Sequence, residues 1–196
     1  IKKLYNYLKD KDLLLIEEVI KQHDYLNKLY NKSINRVTVI TLLYNDITYI
    51  ISINLNLGNN SIVDSLKRGG MTNKIDIETG TSLHPFCDRG LNNYYFHPIT
   101  KEKINNIKLP YINEIKLLVK DLSNIIKSVR YVSWDIAITN DGPILLGASP
   151  LPNIYQFFIH NEDNKGILPL INEILNKESS VDSIEIKKDD KLSISN

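Results

Sequence analysis

The chain has 196 residues, 42% of them hydrophobic, which suits one domain with a core of its own. Lys plus Arg number 24 and Asp plus Glu 23; a net charge of +1 gives no electrostatic grip on nucleic acid or an anionic membrane, and neither is expected as a partner. Cys87 is the single cysteine, so an intrachain disulfide is excluded and a reducing, cytoplasmic setting is expected.

No apolar run approaches membrane-spanning length, and no signal peptide is recognisable. Because the chain starts with Ile1 rather than Met, a piece upstream is expected. Residues 1–9 read as a short helix with Leu4, Tyr5 and Leu8 on one face. The apolar burst 13–16 is too short for a helix and reads as a strand buried on both faces, ending in Glu17-Glu18-Val19-Ile20. Residues 22–30 form a second short helix or turn. Segments 36–44 and 47–57 make a strand pair joined at Asn45-Asp46, with Val37, Val39, Thr41 and Leu43 on one face. Residues 58–70 are polar and glycine-containing, hence a loop; 74–77 reads as a short strand before the Thr79-Gly80 turn. The stretch 81–109 lacks periodicity and reads as an irregular surface excursion.

The clearest helix is 110–129. Ile112, Ile115, Val119, Leu122, Ile126 and Val129 recur at helical spacing, and Pro110 suits a helix start. A hairpin follows over 131–146. Tyr131, Ser133, Asp135, Ala137 and Thr139 alternate with Val132, Trp134, Ile136 and Ile138, and Asn140-Asp141-Gly142 is a tight-turn signal. Pro150 and Pro152 stop the returning strand. A last helix spans 166–176 with Leu168, Ile171, Ile174 and Leu175 inward, and 179–196 is a polar tail. The division is therefore 1–178 and a tail, with an α+β plan of helices against an antiparallel sheet.

An ionised Asp135 inside a strand must be paired or must hold a cation, because an isolated buried charge is costly. Pairing with a nearby Arg or Lys, or capping a turn, are the plain alternatives. Arg36 taken alone is a surface cation, Glu17 and Glu18 a solvated pair, and Gly69-Gly70 a turn. His84, Cys87, Asp88 and His97 have spacings that fit no zinc pattern with paired ligands close in sequence. Trp134 reads as core packing.

Several runs occur together in one order: Leu15-Ile16-Glu17-Glu18-Val19-Ile20-Lys21-Gln22-His23, Ser33-Ile34-Asn35-Arg36-Val37-Thr38-Val39-Ile40-Thr41, Val63-Asp64 with Gly69-Gly70, Ile75-Asp76 with Thr79-Gly80, His97-Pro98-Ile99-Thr100, Leu109-Pro110, and Trp134-Asp135-Ile136-Ala137-Ile138-Thr139 with Asp141-Gly142-Pro143. In this order, over about residues 12–150, the chain resembles the ATP-grasp superfamily, and within it the sugar-transfer-associated branch. The resemblance implies an ATP-grasp-like sheet and ATP and Mg²⁺ as cofactors. Glu17, Glu18, Val19 and Ile20 would be the hinge that grips adenine, with Asp24 touching ribose. Arg36 would face a phosphate or acyl phosphate, Gly69 and Gly70 would belong to a substrate-side loop, and Asp135 would be a catalytic carboxylate and the first Mg²⁺ ligand. The implied activity is ATP-dependent ligation of a carboxylate through an acyl phosphate, on a small-molecule carboxylate or sugar substrate linked to surface polysaccharide.

The chain departs from that pattern after Gly142-Pro143, where the family shows Glu-x-Asn. Gly147 stands in the glutamate's place and Ser149 in the asparagine's. Mg²⁺ dehydrates reluctantly, so losing two protein oxygens weakens its hold. The family's glycine-rich loop and phosphate-clamping lysines are expected upstream of Ile1. A degenerate, non-catalytic binding or scaffolding module is the alternative.

Overall fold

The computed structural model describes residues 1–13, 18–152 and 166–176. The chain runs α1 (Lys2–Asp10), α2 (Asp24–Leu29), β1 (Val37–Tyr44), β2 (Ile47–Leu57), a single 3₁₀ turn (Leu66–Arg68), β3 (Met71–Ile75), β4 (Phe86–Asp88), β5 (Asn93–Tyr94), α3 (Ile112–Ile125), β6 (Tyr131–Thr139) and β7 (Gly142–Ser149), and residues 168–176 form α4. The seven strands make one sheet in the order β5-β4-β3-β2-β1-β6-β7, antiparallel throughout.

Alternation decides the two faces of this sheet. Val37, Val39, Ile53, Leu55, Ile136 and Ile138 are fully buried on one side, where α3 supplies Ile115 and Val119 and the long connection supplies Ile104 and Ile107. Burying each such side chain stabilises by about 1.5–3 kcal/mol. One polar thread crosses this core. Trp134 Nε1 donates to Thr41 Oγ1 (2.8 Å), which lies 3.2 Å from Ser123 Oγ, and Ser123 in turn donates to the Val119 carbonyl (2.6 Å). It satisfies the indole N–H and ties β6, β1 and α3 together. The other face is apolar at one end, where Ile40 and Ile51 meet Ile174 of α4, and polar at the end that holds Arg36, Thr38 and Asp135.

The α+β plan, both hairpins and the helices at 1–9, 22–30, 110–129 and 166–176 are present, with shifted bounds. Both turn residues of the first hairpin, Asn45 and Asp46, have positive φ (47° and 60°), as a tight β1–β2 turn requires. The strand expected at 74–77 starts instead at Met71, because Met71 pairs with Leu57 as soon as the chain leaves Gly70. The excursion 81–109 is less irregular than expected: β4 and β5 extend the sheet, and Phe86 is fully buried. Helix α3 begins two residues after Pro110, since Tyr111 adopts φ 57°, and it ends before Ile126 and Val129, which are exposed. Strand β7 runs three residues past Leu146 to Ser149. Leu168, expected inward, is 64% exposed, and the inward contact of α4 is carried by Ile174. The strand expected at 13–16 and the tail from 179 lie outside the described residues apart from Leu13. No helix among the described residues is long and apolar enough to cross a membrane.

Candidate functional site

Asp135 lies mid-strand in β6, opposite Thr38 of β1 on one side and Gly147 of β7 on the other. Directly paired residues share a face, so one row across the sheet reads Lys74, Asn54, Thr38, Asp135, Gly147. A register shift falls between Asp135 and Ile136, a bulge of the kind that re-aims a side chain.

The Asp135 carboxylate is held by two neighbours on β1 or at its mouth. Arg36 Nη1 donates to Oδ2 at 2.6 Å and Thr38 Oγ1 donates to Oδ1 at 2.9 Å. Thr38 Oγ1 accepts from Asn56 Nδ2 (3.0 Å), which also reaches the Arg36 carbonyl (3.2 Å). Asn56, Thr38 and Asp135 thus form a directed chain across β2, β1 and β6 that holds the carboxylate's rotamer. Arg36 has a second acid: its backbone N–H donates to Asp64 Oδ2 (3.3 Å), and its Nε lies 3.2 Å from the same oxygen at an angle too bent for a hydrogen bond. The guanidinium sits between two carboxylates, a cluster with a formal charge of −1. Burial pushes the Asp64 carboxyl above the usual carboxylate range. Arg36 opposes that shift, and Asp135 adds to it by repulsion.

Asp64 is delivered by the loop 58–70. Gly69 has φ 87° and closes the 3₁₀ turn, and a Cβ on Gly70 would lie 2.5 Å from the Asp64 carbonyl oxygen. The two glycines therefore make a turn that lets the chain pass under Asp64. Asp64 itself carries no sequence signal beyond its place between Val63 and that Gly-Gly pair.

The expected hinge falls at the end of the sheet. Glu17 lies outside the described residues. Glu18, Val19 and Ile20 are described, and His23 N–H donates to the Ile138 carbonyl (2.7 Å). Beyond Ile136, where β1 no longer pairs with β6, this segment takes over that edge. Val19 and Ile20 line two grooves, one of about 530 Å³ with Gln22, Asp24 and Asn27, and one of about 370 Å³ with Glu18, Thr139 and Ile144. Ile138 is three residues from Asp135, about 10 Å along the strand. Neither groove is lined by Arg36 or Asp135. The structure thus joins Arg36, Asp64 and Asp135 in one cluster and leaves the hinge residues and Asp24 in another, on the same strand's far end.

The donor set does not fit a protein-held Mg²⁺. Among the described residues no three metal-ligating side chains come together, Asp135 is taken up by Arg36 and Thr38, and Gly147 offers no side chain. Ser149 pairs with Ser133 and its hydroxyl is turned to the backbone of Leu151. Open space surrounds Gly147, where a Cβ would meet nothing within 4 Å.

An antiparallel sheet flanked by helices, with an Arg–carboxylate pair at one polar end, is compatible with an ATP-grasp fold. The chain belongs to the sugar-transfer associated ATP-grasp family, whose model matches residues 1–175. No curated protein and no solved structure matches it.

Proposed function

We propose that this chain serves the ATP-grasp ligase-like, sugar-related function that its family membership supports in general terms as a non-catalytic binding module in the synthesis of a surface polysaccharide or other sugar conjugate, its cleft keeping the anion-facing cation but not the protein ligands for Mg²⁺. The observation that carries this reading is the pair Asp135 and Gly147: the position opposite the carboxylate has no side chain, and the carboxylate is already paired with Arg36. A site in that state holds a ligand by charge and shape, and lacks the concentrated negative charge that pins a hard cation. Val19, Ile20 and Asp24 would receive the flat end of a nucleotide, and Arg36 its anionic end.

A second reading, ATP-dependent carboxylate ligation through an acyl phosphate, is favoured by the Asn56–Thr38–Asp135 chain, which fixes Asp135 more firmly than a surface ion pair needs. In that reading Arg36 steadies the developing phosphate charge, and catalysis is mostly positioning.

Calorimetric titration with ATP, with and without Mg²⁺, separates the two. The expected result for the wild type is binding that does not depend on Mg²⁺ and no ATP hydrolysis. Substituting Gly147→Glu together with Ser149→Asn should add Mg²⁺-dependent binding, since the new carboxylate has open space beside Asp135. Hydrolysis of ATP by the wild type would defeat the non-catalytic reading, and no heat with ATP at all would defeat the nucleotide role.

A further inference from the structure

His97 belongs to a run of the matched pattern, His97-Pro98-Ile99-Thr100, that the cleft itself does not use. The residue is fully buried. Its Nδ1 accepts from the backbone N–H of Ile99 (3.2 Å) and of Thr100 (3.3 Å). A ring nitrogen that accepts two amides carries no proton, so Nε2 holds the proton and donates it to the Gly58 carbonyl at 2.8 Å. Gly58 is the root of the loop that delivers Asp64.

The same loop root is held a second time. Tyr30 stacks on the His97 ring, centroids 5.1 Å apart and planes at 22°. Its hydroxyl donates to the Ser61 carbonyl (2.8 Å) and accepts from the Ser61 N–H (2.9 Å). Gly58 has no space for a side chain, because a Cβ would stand 2.6 Å from the Tyr30 ring. The His97 turn is in turn anchored to the end of α2, where Thr100 Oγ1 donates to the Leu29 carbonyl (2.9 Å). One aromatic pair therefore grips both Gly58 and Ser61, three residues short of Asp64.

We infer that His97 and Tyr30 are positioning residues: they clamp the root of the loop 58–70 and so keep Asp64 on Arg36, setting how far Arg36 is free to leave Asp135 for a ligand. The last clause rests on the reading of Arg36 as the anion-facing cation; the clamp itself does not. Neither ring makes a hydrogen bond or ion pair to Arg36 or Asp135 among those described for these residues. Clamp and site are joined through the loop and through Asn35, next to Arg36, which accepts from the Gly58 N–H (3.2 Å) and donates to the Tyr30 carbonyl (2.7 Å).

Hydrogen exchange by mass spectrometry on the whole chain tests it, with the Arg36 Nε–H signal followed by NMR on the same samples. Tyr30→Phe keeps the volume and the ring stack and removes only the two Ser61 bonds. Amides of 59–65 should exchange about tenfold faster, the size of one or two net hydrogen bonds, while β1 and β2 keep their protection and the Arg36 Nε–H signal weakens. His97→Asn keeps an acceptor for the turn at 99–100 but not the donor to Gly58, and should loosen the same loop; His97→Gln restores a donor of longer reach and should recover part of the protection. Unchanged loop exchange and an unchanged Arg36 signal in Tyr30→Phe would overturn the inference, as would equal acceleration in every peptide. Tyr30→Phe decides the matter alone if His97→Asn does not fold. Titrating the same wild-type sample with ATP reports on the nucleotide reading separately, because a protein that ignores ATP still shows the loop result.

Discussion

The two faces of the sheet are built on different terms. On the α3 side, Val37, Val39, Ile53, Leu55, Ile136 and Ile138 leave water and need no partner of stated geometry. On the opposite face at the Arg36 end, Thr38, Asn54 and Asn56 are just as buried, yet each is polar and makes hydrogen bonds. A buried polar group stabilises little when paired and costs about 1–3 kcal/mol when orphaned. The first face follows mainly from burial, whereas the second depends on each polar group meeting a partner of fixed geometry. Apolar packing and hydrogen-bonded polar groups are thus separated across this end of one sheet.

Four substitutions or titrations break or sharpen that contrast. The largest effect should come from the apolar face: Leu55→Ala should lose about 2–5 kcal/mol of unfolding free energy through lost burial and a cavity, read from a urea transition at unchanged slope. A loss below 1 kcal/mol would mean this face is not the core. Next, Arg36→Met strands the buried Asp64 carboxylate. The expected cost is about 1–3 kcal/mol, set below the range for fully buried pairs because Arg36 keeps 31% of its side-chain exposure. The cost should shrink on acidification, since a protonated Asp64 needs no cation and its pKa is already raised; a pH-independent cost would count against the ion pair.

Smaller again, Asn56→Ala should cost about 1–2 kcal/mol through the bonds to Thr38 and Arg36, and in an NMR titration it should disturb the Asp135 signal more than any residue of the apolar face. The last is a pH effect. Burial holds the His97 pKa below its ordinary value, with the Gly58 bond opposing and Lys101 assisting. Around the ring stand Tyr30 from the end of α2 and Lys101 and Glu102 from its own turn, while Gly58, Asn59, Asn60 and Ser61 bring no titratable group. A His with a lowered folded pKa contributes stability that is present above the unfolded pKa and lost as pH falls through the folded one. Stability should therefore decline on acidification from just below the ordinary histidine range, and His97→Gln should flatten that limb of the curve in thermal unfolding. An identical limb in the variant would assign it to other groups.

Much of this was readable in the residues. The alternation from Tyr131 to Thr139 sorted Asp135 from Trp134 onto opposite faces, and the structure keeps Trp134 92% buried with its N–H on Thr41. The Asn45-Asp46 and Asn140-Asp141-Gly142 turns announced both hairpins. Strands β4 and β5 stayed hidden because pairs of two or three residues leave no period to detect. The extent of α3 was overread, since Ile126 and Val129 continue the spacing that the backbone abandons at Ile125. Arg36 and Asp135 were both visible as candidates, but not as partners; pairing with an Arg was only one of the alternatives open for Asp135.

What the amino-acid order determined by itself is local: which side chains share a face, where the chain turns, and that Gly147 and Ser149 bring no carboxylate or amide. Those follow from backbone geometry within a few residues, where period and φ preference act directly. Only the tertiary structure decided that Arg36 meets an acid 99 positions away and another 28 positions away, that Gly147 faces Asp135, and that His97 reaches back to Gly58. Register and loop packing are collective outcomes of the whole buried surface, so no short stretch of residues encodes them.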